Sequence, residues 1–174
     1  LALPNNKITA IPMPIAYTPI VELEVSNNEI SSLPTSLYGK RSLEKLHIDR
    51  NNFEGPLPDF AAIPKLEHIQ AQYNFFTGTI HPSIGEQLSK LRNLDLSFNS
   101  LTGTIPPELG RLSRLVRLDL DNNSLTGEIS PDIVSITTAI AACAKGITGI
   151  ERTPFLLGHL ATASQHRVYD SGLP

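Results

Sequence analysis

The strongest constraint on this chain is that it repeats itself. The pattern L-x-L-x-x-N-x-L, with other apolar residues standing in for some leucines, occurs six times, and its asparagines are Asn6, Asn28, Asn51, Asn74, Asn99 and Asn123. Successive asparagines are 22, 23, 23, 25 and 24 residues apart. Ahead of copies two to six stands a further apolar pair at L-x-x-L spacing: Ile20 with Leu23, Leu43 with Leu46, Leu66 with Ile69, Leu91 with Leu94, and Leu115 with Leu118. A unit this small cannot bury its own apolar side, so each must stack on the next. The period therefore predicts a solenoid over residues 1–130, with six repeats of which the first is truncated.

Each fixed position has a physical reason. In L-x-L the apolar and polar residues alternate, the period of a short strand with one buried face. The twenty or so residues between strands are enough for the crossover that parallel strands need. Where the strand ends the chain turns, and its backbone amides and carbonyls lose water. An asparagine amide has donors and an acceptor, so one side chain can bond the backbone of its own turn and of the neighbouring one. A column of structural asparagines is predicted. Further on, Leu101, Gly103 and Ile105 share one parity, as do Phe76, Gly78, Ile80 and Leu125, Gly127, Ile129, which suggests a second extended segment with glycine where a side chain would crowd the adjacent coil. Proline follows in every copy, at Pro12, Pro34, Pro58, Pro82, Pro106 and Pro131. Because proline suits a first helical position, "PPELGRL" reads as a turn of helix on the outer face, with a proline-bearing loop as the alternative.

These motifs resemble the plant-type leucine-rich repeat, LxxLxxLxLxxNxLxGxIPxxLxxL. Copies five and six match it almost throughout, copies three and four carry it as "FEGPLP" and "FTGTIH", and the first two, "ITAIPMPI" and "ISSLPTSL", lack its glycine. The resemblance covers about residues 1–136. It implies an α/β solenoid: a right-handed superhelix with a concave parallel sheet and short helical or 3-10 turns on the convex side. It also implies a recognition role, as in receptor-like kinases and proteins and polygalacturonase-inhibiting proteins. The cysteine pairs that close such ectodomains are absent here. An extracellular or cell-surface location is the expectation and a cytoplasmic scaffold the alternative. A third reading is an ectodomain fragment of a receptor kinase whose kinase domain is not in this chain. The chain opens at Leu1 inside a repeat, as a fragment or processed product would.

After Ile133 the pattern stops and a helical one begins. Ser130 can cap a helix, Pro131 suits its first position, Asp132 its positive end, and Lys145 followed by Gly146 a stop. Ile133, Ile136, Ile140, Cys143 and Ile147 fall on one face. A capping helix over residues 131–146 is expected, covering the last row of leucines. The uncharged run of residues 133–144 is too short for a membrane span, so a membrane connection is expected only through segments outside this chain. Residues 147–174 are expected to be irregular or partly helical.

No chemistry of transformation is apparent. A formal charge of -3 gives no basic face for nucleic acid. His47, His68, His81, His159 and His166 lack metal-ligand spacing, and Cys143 has no evident activating base. No cofactor, metal or enzymatic activity is expected. Recognition is, and parity places it: the residues flanking the buried pair face away from the core. One column runs Ala2, Glu24, His47, Gln70, Asp95, Asp119; the next runs Pro4, Ser26, Asp49, Gln72, Ser97, Asp121; a third runs Asn5, Asn27, Arg50, Tyr73, Phe98, Asn122. The expected ligand contacts on the concave face are His47, Asp49, Arg50, Gln70, Gln72, Tyr73, Asp95, Phe98, Asp119 and Asp121. Tyr73 and Phe98 could instead pack over the asparagine turns. Ser97 is expected to be exposed. The partner is expected to be a protein or peptide, basic in view of Asp95, Asp119 and Asp121; a glycan fits less well.

Overall fold

A computed structural model of the chain describes residues 1–11 and 18–136. Cys143, His159, His166, the rest of the helix expected to residue 146 and the tail of residues 147–174 lie outside the described residues. Pro12 does too.

Each L-x-L segment forms a three-residue strand centred on its first apolar residue: β1 (Glu22–Glu24), β2 (Lys45–His47), β4 (His68–Gln70), β6 (Asn93–Asp95) and β8 (Arg117–Asp119). They make one parallel sheet in the order β1-β2-β4-β6-β8. Its register puts Leu23, Leu46, Ile69, Leu94 and Leu118 side by side. All five are at most 2% exposed and belong to one continuous core. Hydrogen bonding continues past the strands, as in Ile48 N–H to Gln70 O at 2.8 Å and Arg50 N–H to Gln72 O at 3.0 Å. The first copy joins through Ala2, which bridges Glu24.

The second extended segments are β3 (Glu54–Pro56), β5 (Phe75–Thr77), β7 (Thr102–Thr104) and β9 (Ser124–Thr126), paired as β3-β5 and β7-β9. Their glycines answer to two constraints. Gly103 and Gly127 have φ of 78° and 83°, and a Cβ at either would stand 2.9 Å from the Cγ2 of Thr79 or Thr104. In the fourth copy Ala71 replaces a larger apolar residue. Phe76 is the aromatic that goes inside there, stacked on Phe53 with ring centroids 5.6 Å apart, while Phe75 stays 57% exposed.

The convex side carries single turns: 3-10 helices at Thr35–Leu37, Phe60–Ala62 and Pro107–Arg111, and α1 (Ser83–Gln87). Pro34, Pro82 and Pro106 immediately precede three of them. Helix α2 (Pro131–Ile136) begins with Ser130 Oγ accepting from the Asp132 amide at 3.3 Å, and buries Ile133. It packs on the Pro107–Arg111 turn as that turn packs on α1. A Cβ on Gly85 would meet Glu108 O at 2.1 Å, and one on Gly110 would meet Asp132 Cβ at 2.6 Å. The start of α2 therefore occupies the position of the sixth repeat's convex turn. No helix among the described residues is long and apolar enough to cross a membrane.

Candidate ligand-binding face

The asparagine column sets the backbone on which this face is displayed. Asn51 Nδ2 donates to Ile48 O (3.1 Å) and Asp49 O (3.0 Å) of its own turn and to Val25 O (3.0 Å) of the repeat before, while its Oδ1 accepts from Ile30 N (3.0 Å). Asn28, Asn74, Asn99 and Asn123 repeat this arrangement. Among the described residues Asn6 bonds only its own turn, at Leu3 O and Pro4 O. Every inter-repeat bond from an asparagine side chain of this column points backwards along the chain.

One residue before each asparagine the backbone is left-handed. Asn5, Asn27, Arg50, Tyr73, Phe98 and Asn122 have φ between 51° and 59°. This lets two successive amides bond the next rung, as in Tyr73 N to Ser97 O (3.1 Å) and Asn74 N to Phe98 O (3.3 Å). Asparagine enters this region readily; for other residues the conformation costs about 1 kcal/mol or more. Parity alone contains no sign of it.

The three middle members of this column stack. The Arg50 guanidinium lies 5.0 Å from the Tyr73 ring centroid, and the Tyr73 and Phe98 rings are 4.3 Å apart and nearly parallel, at 12°. Tyr73 and Phe98 are 43% and 39% exposed. The rings thus cover one another across the strand ends and remain open to solvent.

Other expected contacts are sunk between neighbouring strands. Asp49 is 5% exposed; it accepts from Ser26 Oγ at 2.5 Å and pairs with Arg50 at 3.7 Å. Asp95 is 7% exposed, accepts from Ser97 N and Oγ at 3.1 and 2.7 Å, and pairs with Arg117. Burial pushes its carboxyl pKa up, against the Ser97 hydrogen bonds, and Asp119 adds to the rise while Arg117 opposes it. Ser97, expected exposed, is 4% exposed. Rungs about 4.8 Å apart cover whatever is short. Gln70, Gln72, Asp119 and Asp121 are half-buried. The Oε1 of Gln72 is enclosed without a hydrogen-bond partner among the described residues.

Charge on the sheet is largely paired. His47 Nδ1–H donates to Glu24 Oε2 at 2.7 Å, Lys45 lies 3.6 Å from Glu22, and Arg92 lies 3.3 Å from Glu67. Arg117 bridges Asp95 (3.3 Å) and Asp119 (3.0 Å). Burial raises the Glu24 pKa, but hydrogen bonds from Ser26 and His47 outweigh it and the net shift is downward. Burial, with Lys45 nearby, pulls His68 down. Among the described residues no group of three or more His, Cys, Asp or Glu side chains could hold a metal ion.

Parallel rungs, a hydrogen-bonded asparagine column and an open inner face define a leucine-rich repeat solenoid. Residues 64–125 and 42–62 match family profiles described as leucine rich repeat. Over these residues the chain is built of leucine-rich repeats. Among solved structures it is similar to the plant peptide hormone receptor RGFR1 in complex with RGF2, with 35% identity and a TM-score of 0.72 over 79% of this chain and 22% of that one. The ectodomain of the Arabidopsis receptor kinase HAESA, in complex with an N-terminally extended IDA peptide hormone, gives 35% identity and 0.70 over 78% and 23%. A chain of the BIR3–SERK2 complex from Arabidopsis thaliana gives 28% and 0.61 over 72% and 71%. The chain thus spans under a quarter of the length of the first two. No curated protein matches it.

Proposed function

We propose that the chain is a non-enzymatic recognition module, located outside the cell or at its surface, that binds an extended peptide or one face of a small protein along its concave sheet. The observation that carries this reading is the exposed Arg50–Tyr73–Phe98 column in the middle of the strip. Solvent-accessible aromatics beside arginine are the residue types that dominate binding energy at interfaces. The similarity to RGFR1 and HAESA, each solved with a peptide hormone, supports the peptide class. Asp95, Asp119 and Asp121 on this face favour a basic partner.

Selection of displayed random-sequence peptides on the full chain tests this. Peptides that enrich should lose more than about 1 kcal/mol of binding with Arg50→Ala or Tyr73→Ala, while Asp119→Asn should chiefly flatten the dependence on salt. Failure of any peptide to enrich overturns the reading. So does binding that survives all three changes but is lost on substituting the exposed convex residue Glu86.

A further inference from the structure

We infer that Asn122 is an acceptor for an N-linked glycan, which stands at the carboxyl-terminal end of the Arg50–Tyr73–Phe98 column. The inference rests on the location outside the cell or at its surface proposed above, and on nothing about the ligand. Asn122, Asn123 and Ser124 form Asn-x-Ser, the tripeptide whose asparagine takes a glycan in secreted chains. No other asparagine in the sequence has Ser or Thr two residues on.

One residue of register separates an accessible acceptor from a structural one. Asn123 belongs to the asparagine column, and its Nδ2 is spent on Leu96 O (2.9 Å), Leu120 O (3.1 Å) and Asp121 O (3.3 Å). A sugar on that nitrogen would break the turn. Asn122 is exposed, at the left-handed position with φ of 52°. Its Nδ2 donates to Asp121 Oδ2 at 2.6 Å. An amide nitrogen carries two protons, so an N-linked sugar replaces one and leaves the other for that bond. Ser124 is exposed at the start of β9, tied by its backbone amide to Leu101 O at 2.8 Å. Among the described residues its Oγ makes no hydrogen bond, so the hydroxyl of the tripeptide is not consumed by the fold. At the amino-terminal end the equivalent asparagines are joined to each other, Asn27 Nδ2 donating to Asn5 Oδ1 at 2.9 Å.

The step is a substitution at the anomeric carbon of the first sugar. The bond from Asn122 Nδ2 to that carbon forms as its bond to the oxygen of a lipid pyrophosphate carrier breaks. The carrier leaves with the electron pair, and one amide proton passes to a base of the transferring enzyme. Phe98 N–H donates to Asp121 O and Asn99 N–H to Asn122 O, so Asn122 stands one rung beyond Phe98. With rungs about 4.8 Å apart, the attachment point is about 10 Å from the rung of Tyr73 and about 14 Å from that of Arg50. The glycan therefore bounds the column at Phe98 and leaves Tyr73 and Arg50 open to a ligand.

The test expresses the full chain behind an appended secretion leader in a eukaryotic host and reads its intact mass before and after peptide N-glycanase. The parent should carry one glycan, and its release should leave a carboxylate at position 122 of the mapped peptide. Ser124→Ala should lose the glycan completely while keeping Asn122; Asn122→Gln should lose it too, and Ser124→Thr should retain it. The glycosylated and released forms should melt at the same temperature. A secreted parent with a bare Asn122, or a glycan that persists in Ser124→Ala, overturns the inference. So does a glycosylated form that melts far below the released one, since the fold then has no room for the sugar. If the leader-directed chain is glycosylated but the chain purified from its natural source has a bare Asn122, the location reading fails and the acceptor stands.

Discussion

Asn99 shows what one side chain carries in this fold. Its amide holds Leu96 O and Ser97 O in its own turn and Ala71 O and Phe76 N in the repeat before. Replacing it by alanine leaves those backbone groups unpaired, so Asn99→Ala should cost roughly 1 to 3 kcal/mol in chemical denaturation, whereas Ala at the exposed Ser100 should cost little. Ser97 cannot serve as the neutral comparison, since it is buried and bonded to Asp95. A second residue-scale expectation concerns acid. Because the folded His68 pKa lies below its ordinary value, the neutral imidazole is favoured by folding; stability is full above about pH 6.5 and falls as pH drops through the folded value. Glu24, whose folded pKa is also lowered, loses its contribution at still lower pH, and Asp95, shifted the other way, partly offsets it. Urea midpoints measured across this range should fall with acid, and His68→Gln should flatten the upper part of the slope. The asparagines were legible in the sequence because a lone polar residue recurring at a fixed period among leucines marks a buried turn whose backbone needs an amide partner. The left-handed turn before them was not, because Arg50, Tyr73 and Phe98 hide a preference that only Asn5, Asn27 and Asn122 betray.

Between elements, the convex turns stack by means of two glycines. Gly85 sits where any Cβ would collide with the Glu108 carbonyl, and Gly110 where it would meet the Asp132 side chain. Gly85→Ala should therefore destabilise by about 1 to 3 kcal/mol, since its obstacle is backbone. Gly110→Ala should cost less, because its tightest contact is 2.6 Å against 2.1 Å at Gly85, and paired thermal melts would show the order. The same geometry makes Pro131, Asp132 and Ile133 successors of Pro107, Glu108 and Leu109. That correspondence was readable as a 24-residue step. The strands were readable from alternation. Their ligand-facing residues were only half readable: alternation says which way a side chain points, and Asp49 and Asp95 show that neighbouring rungs decide whether it reaches solvent.

At the scale of the molecule, the sixth rung is covered on its convex side by α2, whose Ile133 is 1% exposed in the common core. A chain ending at Ile129 should expose Leu109 and Leu112, and light scattering should show it self-associating where the full chain does not. If it stays monomeric and melts at the same temperature, the segment from residue 131 has no covering role. The asparagine column adds a direction to the stack. Each amide reaches back to the preceding repeat, so lifting the first rung away leaves Asn28 with both acceptors of its own turn, Val25 O and Ser26 O, still in place. Lifting the last rung instead takes Asn123 from Leu96 O and Leu101 N, stripping partners from backbone that stays behind. Pulled apart along its axis, the solenoid thus has two chemically different ends: loss from the amino-terminal side bares an asparagine still holding its own turn, and loss from the carboxyl-terminal side bares the Leu101 amide.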